Sequence, residues 1–182
     1  MIALRAPRRK DIQRIVRLAD EIFGDGYLEA NDVNDRYIVL NVEGTLAGFV
    51  NTDIWDEEDA TGNAAGFSLG LIETIVIRPN YRGFGLGNVL VSAAASTLIA
   101  ERVDLIECYA TTWSDSGICY VRRALENNGF EVGQHYHRMW ENDVQGFICR
   151  ACKKAPCLCD ATLYRREVNT TLRIESCQQR TT

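Results

Sequence analysis

Three groups of residues in this sequence have the types and spacing to do chemistry. The first is "RPNYRGFGLGN", in which Arg82 is followed by Gly83, Gly85 and Gly87. Glycine reaches positive φ and puts no side chain in the way of a ligand. Three glycines ahead of a helix let successive N–H groups point at one spot. The helix N-terminus adds unpaired donors and a partial positive charge, which makes an anion site suited to phosphate. Arg82 supplies a permanent charge that pairs bidentately with phosphate. A Walker loop is excluded, because Asn88 and Val89 follow Gly87 where Lys and Ser or Thr are needed. The dinucleotide fingerprint fails too: counted from Gly83 and Gly85, its third glycine position is Asn88. The competing interpretation is a glycine-rich turn that merely caps a helix.

The second group is a single carboxylate, Glu73, the only charged residue between Phe67 and Ile77. It alternates with Leu71, Ile75 and Ile77 on one face of an expected strand. A carboxylate among apolar neighbours is pushed toward a raised pKa, which suits a general base near neutral pH. The alternative is a solvent-facing or salt-bridged Glu. The acidic run Asp56, Glu57, Glu58 and Asp59 precedes it and reads as a solvated surface loop, or as a collector of cationic amines.

The third group is "CRACKKAPCLC", spaced Cys149-x2-Cys152-x4-Cys157-x-Cys159. The chain has seven cysteines, and the other three, Cys108, Cys119 and Cys177, are scattered. In a reducing compartment such a cluster binds metal rather than forming disulfides. Four thiolates close a tetrahedral zinc site with no open position, so the expected role is structural. Arg150, Lys153 and Lys154 offset its negative charge, and Pro156 helps the chain turn. An iron–sulfur cluster or free thiols are the alternatives.

Elements must position these groups. "IALRAP" reads as a strand, and a helix opening at Asp11 carries Ile12, Ile15, Val16, Ala19, Ile22 and Phe23 on one face. "GDGYLEAND" is too polar and Gly-rich for assignment. "RYIVLNV" and "LAGFVNTDIW" flank "EGT" as a hairpin, and "FSLGLIETIVI" is a further strand. The helix after the glycines places Leu86, Leu90, Ala94 and Leu98 four residues apart. "VDLIECYATT" is a strand, "SGICYVRRALENN" a helix stopped by Gly129, and "FEVGQHYHRMWEN" gives closing strands. The order predicts a mixed α/β domain over residues 1–145, followed by a Cys-rich extension over 146–182. The extension is expected to hold "DATLYRREV" against the core, to join the acceptor site or to contact a protein partner.

With 182 residues the chain has room for one domain and a small appendage. A net charge of -5 and no basic cluster argue against a nucleic-acid binder. No apolar stretch is long enough to span a bilayer and the N-terminus lacks a signal-peptide core, so a cytoplasmic protein is expected.

"IETIVIRPNYRGFGLGNVLV" resembles the acetyl-CoA-binding segment of the GNAT superfamily of N-acetyltransferases. That family's pattern is Arg/Gln-x-x-Gly-x-Gly/Ala after a strand ending V-x-V-x-P, matched here by Ile75, Ile77 and Pro79. "RAPRRKD" and "NNGF" are weaker echoes, and the resemblance covers roughly residues 1–140. It implies a mostly antiparallel mixed sheet flanked by helices. It also implies that the backbone of Arg82, Gly83, Phe84, Gly85, Leu86 and Gly87 holds the CoA pyrophosphate. The pantetheine arm would pair with the backbone of Ile75, Val76 and Ile77, and an N–H there would face the thioester oxygen. An acceptor amine, on a small molecule or a peptide, would attack directly.

Many members of the family protonate the departing thiolate with a Tyr four residues before the Gly of "GF"; here that position is Leu125. Tyr120 is the available substitute, but five residues are about 500° of helical rotation, off the face of Leu125. Tyr120 therefore reads better as a packing aromatic. Ser116 reads as the N-cap of that helix, in contact with CoA. The missing Tyr and the cysteine element leave a second possibility, a non-catalytic CoA-sensing module whose Cys-rich element contacts a protein.

Overall fold

A computed structural model of the chain describes residues 1–58, 64–142 and 147–168. Four strands follow one another antiparallel: β1 (Ile2–Arg5), β2 (Tyr37–Val42), β3 (Thr45–Glu58) and β4 (Ala64–Ile77). The β2–β3 turn places Glu43 at φ 50° and Gly44 at φ 81°, the paired positive φ that a two-residue hairpin needs. β5 (Leu105–Thr112) then joins β4 in parallel. β6 (Glu131–Tyr136) and β7 (Asp160–Glu167) complete a seven-stranded mixed sheet in the order β1-β2-β3-β4-β5-β7-β6.

Both faces of this sheet are covered, which is why Leu46–Val50 of β3 and Leu69–Ile72 of β4 carry no polar side chain. On one face α1 (Arg9–Phe23) sets Ile15, Leu18 and Ala19 against Val39, Phe49 and Val76. On the other, α2 (Leu86–Ala100) sets Leu90, Val91, Ala94 and Leu98 against Leu40, Val50, Ile72 and Ile106. α3 (Arg122–Asn127) adds Ala124 and Leu125 to that second core. No helix among the described residues is long and apolar enough to cross a membrane.

The parallel pair β4–β5 is brief. It is in register at Leu69↔Leu105, Gly70↔Ile106 and Leu71↔Glu107, and the two strands then part. The separation begins beside a β-bulge. The β3–β4 register runs Thr52↔Ile72 and then Asn51↔Thr74, so Glu73 is the extra residue. A bulge bends and twists its strand. The result is a V-shaped opening whose edges carry backbone groups without strand partners.

Two expectations are corrected. The run 114–121 is not helical: Gly117 sits at φ 66° and its N–H donates to Trp113 O at 2.7 Å. This loop delays α3 to Arg122, so Ser116 is exposed in the loop and is not an N-cap. Asp56 to Glu58 continue β3, because that strand stays paired to Glu58↔Ala64; the rest of the acidic run lies outside the described residues. The boundary placed at 145 and 146 also lies outside them. Beyond it, β7 pairs with β5 over Leu105↔Glu167 to Thr112↔Asp160 and lies inside the sheet, so that "DATLYRREV" is held against the core.

The start of α1 depends on one buried acid. Asp11 Oδ2 accepts from Arg5 at 2.6 Å and from the Arg8 N–H at 2.8 Å, which caps the helix. The hydrogen bond from Arg5 is the main cause that holds this carboxyl below its ordinary pKa, against burial. A depressed carboxylate contributes stability above its unfolded pKa and loses it as pH falls through the folded value. Asp11→Ala is expected to lower unfolding stability at neutral pH by about 2 kcal/mol. The gap to the parent should narrow at acid pH, as urea melts at both pH values would read.

Candidate functional site

The opening between β4 and β5 is a cavity of about 410 Å³. One end is the start of α2. Its N-cap is Gly85 at φ 76°, so no side-chain oxygen caps the helix. Asn88 and Val89 donate to Gly85 O, while the first helical N–H groups have no partner of this kind. Gly83 is at φ 85°, and a Cβ on either Gly83 or Gly85 would meet nothing within 4 Å. The two glycines are needed for their backbone conformation, and the space beside them is open. Arg82 donates from Nε to Ile77 O at 3.1 Å, and its guanidinium carbon lies 4.8 Å from the Tyr120 ring centroid. Arg123 brings a second positive charge to the same cavity.

Glu73, Ile75, Val76, Ile77, Arg82, Gly83, Gly85, Leu86, Gly87 and Tyr120 all line this cavity. Phe84 does not; it is 76% exposed beside it. Ser116 is not among the lining residues either. Leu125 is fully buried in the α2 core, so a tyrosine there would have to displace packing. Tyr120 enters by another route. It precedes α3, so the helical-phase argument against it does not apply. Its ring packs edge-on to Trp113 at 6.2 Å.

Glu73 is also re-aimed. Strict alternation would put it on the face of Ile75 and Ile77, but the bulge breaks that alternation. Ile72, Ile75 and Ile77 all pack with the α2 core, while Val76 packs on the α1 side. Asn51, opposite the bulge, donates from Nδ2 to Glu73 Oε2 at 2.5 Å. Burial raises the Glu73 pKa above its ordinary value. Asp53 nearby raises it further, and the Asn51 hydrogen bond only partly offsets this. Thr74, next along, shares a 3.1 Å hydrogen bond with the Tyr27 hydroxyl.

A second cavity, of about 540 Å³, adjoins the first. Phe23, Tyr27, Glu73, Tyr109, Thr111 and Trp113 line both. The far side of the second includes Trp140, Phe147 and three of the clustered cysteines. The aromatic rings run in sequence: Phe147 edge-on to Tyr27 at 5.0 Å, Tyr27 stacked on Phe23 at 4.2 Å, and Phe23 on Trp113 at 6.0 Å. Only Phe23 stands out in the sequence, and there as part of the apolar face of α1. The rings come from α1, the loop after it, the residue that follows β5 and the β6–β7 connection, and no single motif contains them.

The Sγ atoms of Cys149, Cys152, Cys157 and Cys159 all lie within 4.8 Å of one another. Cys149–Cys159 and Cys152–Cys157 are 3.8 Å apart, and Cys152–Cys159 is 3.7 Å. A tetrahedron with metal–sulfur bonds of about 2.3 Å has sulfur–sulfur edges of about 3.8 Å, so the cluster fits a zinc-sized ion. Cys152 Sγ accepts the Leu158 N–H at 3.1 Å and lies 3.1 Å from the Ser114 hydroxyl. Burial pushes the Cys152 thiol up, but these bonds and its cysteine neighbours outweigh it and bring it down to about 7. Burial also raises Cys157 and Cys159.

This element docks onto the end of α1. The Arg150 N–H donates to Phe23 O at 2.7 Å, one of the carbonyls that the helix end leaves unpaired. A Cβ on Gly24 would lie 2.1 Å from Ile148 O, so only glycine permits the approach.

The model of the acetyltransferase (GNAT) family matches residues 8–118, more than half of the chain. A search of curated protein sequences finds no match. Among solved structures, Arabidopsis thaliana NAA60 in complex with a bisubstrate analogue is similar at 15% identity and a TM-score of 0.66, over 93% of this chain and 100% of that one. The Escherichia coli ribosomal-protein-S18-alanine N-acetyltransferase is similar at 14% identity and a TM-score of 0.63, over 94% and 96%. Salmonella typhimurium yncA, a putative acetyltransferase with its cofactor acetyl-CoA, gives 13% identity and a TM-score of 0.65, over 93% and 95%. At these identities the likeness is one of fold.

Proposed function

Because the chain belongs to the acetyltransferase (GNAT) family, we propose that it moves the acetyl group of acetyl-CoA to a primary amine by direct attack in a ternary complex. The observation that carries this is the parted β4–β5 pair, which opens on one side to an uncapped helix start and on the other to Glu73. The N–H groups from Arg82 to Gly87, with Arg82 and Arg123, hold the CoA pyrophosphate. The backbone of Ile75 to Ile77 pairs with the pantetheine arm, as an added strand would. Acetyl-CoA supplies an activated thioester carbonyl. Glu73, oriented by Asn51, takes a proton from the acceptor ammonium, so that the neutral nitrogen bonds to the carbonyl carbon. The carbon–sulfur bond of the tetrahedral adduct breaks, the Tyr120 hydroxyl gives a proton to the departing sulfur and regains one from the nitrogen as the amide forms, and Glu73 releases its proton to solvent. The products are an amide and free CoA thiol.

A CoA-sensing module would need the cleft but not a carboxylate held over it by a dedicated amide. The Asn51–Glu73 pair therefore favours the enzyme. We assign a structural zinc ion to Cys149, Cys152, Cys157 and Cys159, on their sulfur spacing. Reduced thiolates of this kind suit a cytoplasmic location.

Two measurements test the donor and base assignments. Gly85→Val forces a β-branched residue to positive φ and fills the open space beside the helix start. CoA affinity by calorimetry should fall at least ~100-fold, as expected when several charge-assisted hydrogen bonds to phosphate are lost. The circular dichroism of the folded chain should persist. Unchanged affinity would remove the phosphate assignment. For Glu73→Gln, turnover should drop by about a hundredfold or more, the size of a lost acid–base group. Its sign with pH follows from the raised pKa. In the parent the rate climbs as Glu73 deprotonates above the ordinary carboxylate range, and the variant should lack that limb. If the variant keeps the parental pH profile, Glu73 is not the base.

A further inference from the structure

We infer that the acceptor is a primary amine carried on a bulky apolar group, seated in the second cavity, whose far wall is held in place by the metal-bound cysteine knuckle. This rests on the acetyltransferase reading and on the zinc assignment, and it deepens both. The two cavities meet at Glu73, Tyr27, Tyr109 and Trp113. If the first holds the donor, the acceptor nitrogen comes to Glu73 from the second.

The chemistry of the second cavity selects what can occupy it. Six aromatic rings line it: Phe23, Tyr27, Tyr109, Trp113, Trp140 and Phe147. Glu73 is the only carboxylate among the described lining residues, and they include no lysine, arginine or histidine. An ammonium is attracted by the carboxylate and by the faces of the rings. The apolar body beside it buries surface against them. A polyamine would bring further ammonium groups with no carboxylate to meet them, and the thiolates of the far wall are committed to the metal, with Arg150, Lys153 and Lys154 beside them in the chain. A free amino acid would bring a carboxylate with no cation to meet it. Desolvating an unpaired charge is costly, so both are disfavoured. A peptide N-terminus beginning with a large apolar residue and an uncharged arylalkyl monoamine satisfy the same chemistry.

The knuckle is built into this wall. Trp113 and Trp140 pack against the cysteine cluster. The Ser114 N–H donates to Cys159 Sγ at 3.4 Å, which ties the end of β5 to the thiolates. Phe147 leads directly into Cys149, and Arg150 is bonded to the end of α1. Two cavity walls, β5 and α1, therefore converge on residues that the metal would order. Loss of the metal would release Trp140 and Phe147 without touching the glycine loop, which is formed by Arg82 to Gly87 and α2.

The test uses the full chain as purified. Metal content is measured by elemental analysis with a thiol count. Acceptor binding is read from quenching of tryptophan emission in the presence of CoA, and transfer from release of CoA thiol. The amines are phenethylamine, a tripeptide amide with N-terminal Leu, free leucine and spermidine. The first two should exceed the last two in kcat/KM by at least ~10-fold. Removing the metal with a chelator should shift tryptophan emission to the red and weaken binding of phenethylamine by about tenfold, with CoA affinity unchanged. Trp140→Ala should weaken the same amine to a similar degree with its metal retained.

Preference for spermidine or leucine would overturn the cavity assignment, and so would a Trp140→Ala protein with undiminished amine affinity. A metal that can be removed without effect on amine binding would overturn the role of the knuckle. Four reactive thiols and no metal would reject the zinc assignment itself, while the amine panel and Trp140→Ala still decide the cavity. Intact amine binding without CoA release from any acceptor would reject catalysis and leave the binding site standing.

Discussion

Two strands that pair for three residues and then part are the constraint on which this molecule depends. Unpaired backbone groups inside a fold must find partners elsewhere. β4 and β5 leave theirs facing a cleft, and the elements around that cleft are arranged to serve it. The strands part beside a bulge, which is itself a mismatch between β3 and β4. One irregularity thus opens the cleft and turns Glu73 into it. β7 then takes the outer edge of β5, so that the strand that gave up its neighbour on one side is paired along its whole length on the other.

The two ends of the cleft are chemically opposite. Toward α2 there are N–H groups, Arg82 and Arg123, and open space above two positive-φ glycines. Toward the cysteine knuckle there are stacked rings and one carboxylate. In the proposed reaction an anionic cosubstrate and a cationic acceptor are drawn to separate ends and meet at Glu73. The aromatic series from Phe147 to Tyr120, ending beneath Arg82, joins the ends physically. A mutation in the knuckle can reach the second cavity through packing alone.

The glycine loop, the four cysteines and the apolar faces of α1 and α2 were legible because each is local. A positive-φ turn before a helix, a ligand spacing and a 3.6-residue period are written within a dozen or so residues. The β2–β3 hairpin was legible for the same reason. Phe84 shows the limit of even that reasoning. It lies inside the motif with its side chain exposed, and the motif, which calls only on the backbone N–H there, did not say where that ring would go.

What only the tertiary structure decided has a common cause in long-range pairing. The direction of Glu73 depends on a register shift against β3, and no periodicity within β4 reveals it. β7 is read from sequence as an extension because its partners, β5 and β6, lie about 25 to 60 residues away. Tyr120 reached the cleft because a loop closed by Gly117 shortened α3, where sequence pattern alone had run the helix through. The aromatic chamber draws one or two rings from each of four segments, so none of them signals it alone. The sequence by itself determined which groups could bind an anion, take a proton and hold a metal. The pairing of distant strands determined that they flank two adjoining cavities that meet at Glu73, because backbone hydrogen bonds between strands fix positions that side-chain spacing along the chain does not encode.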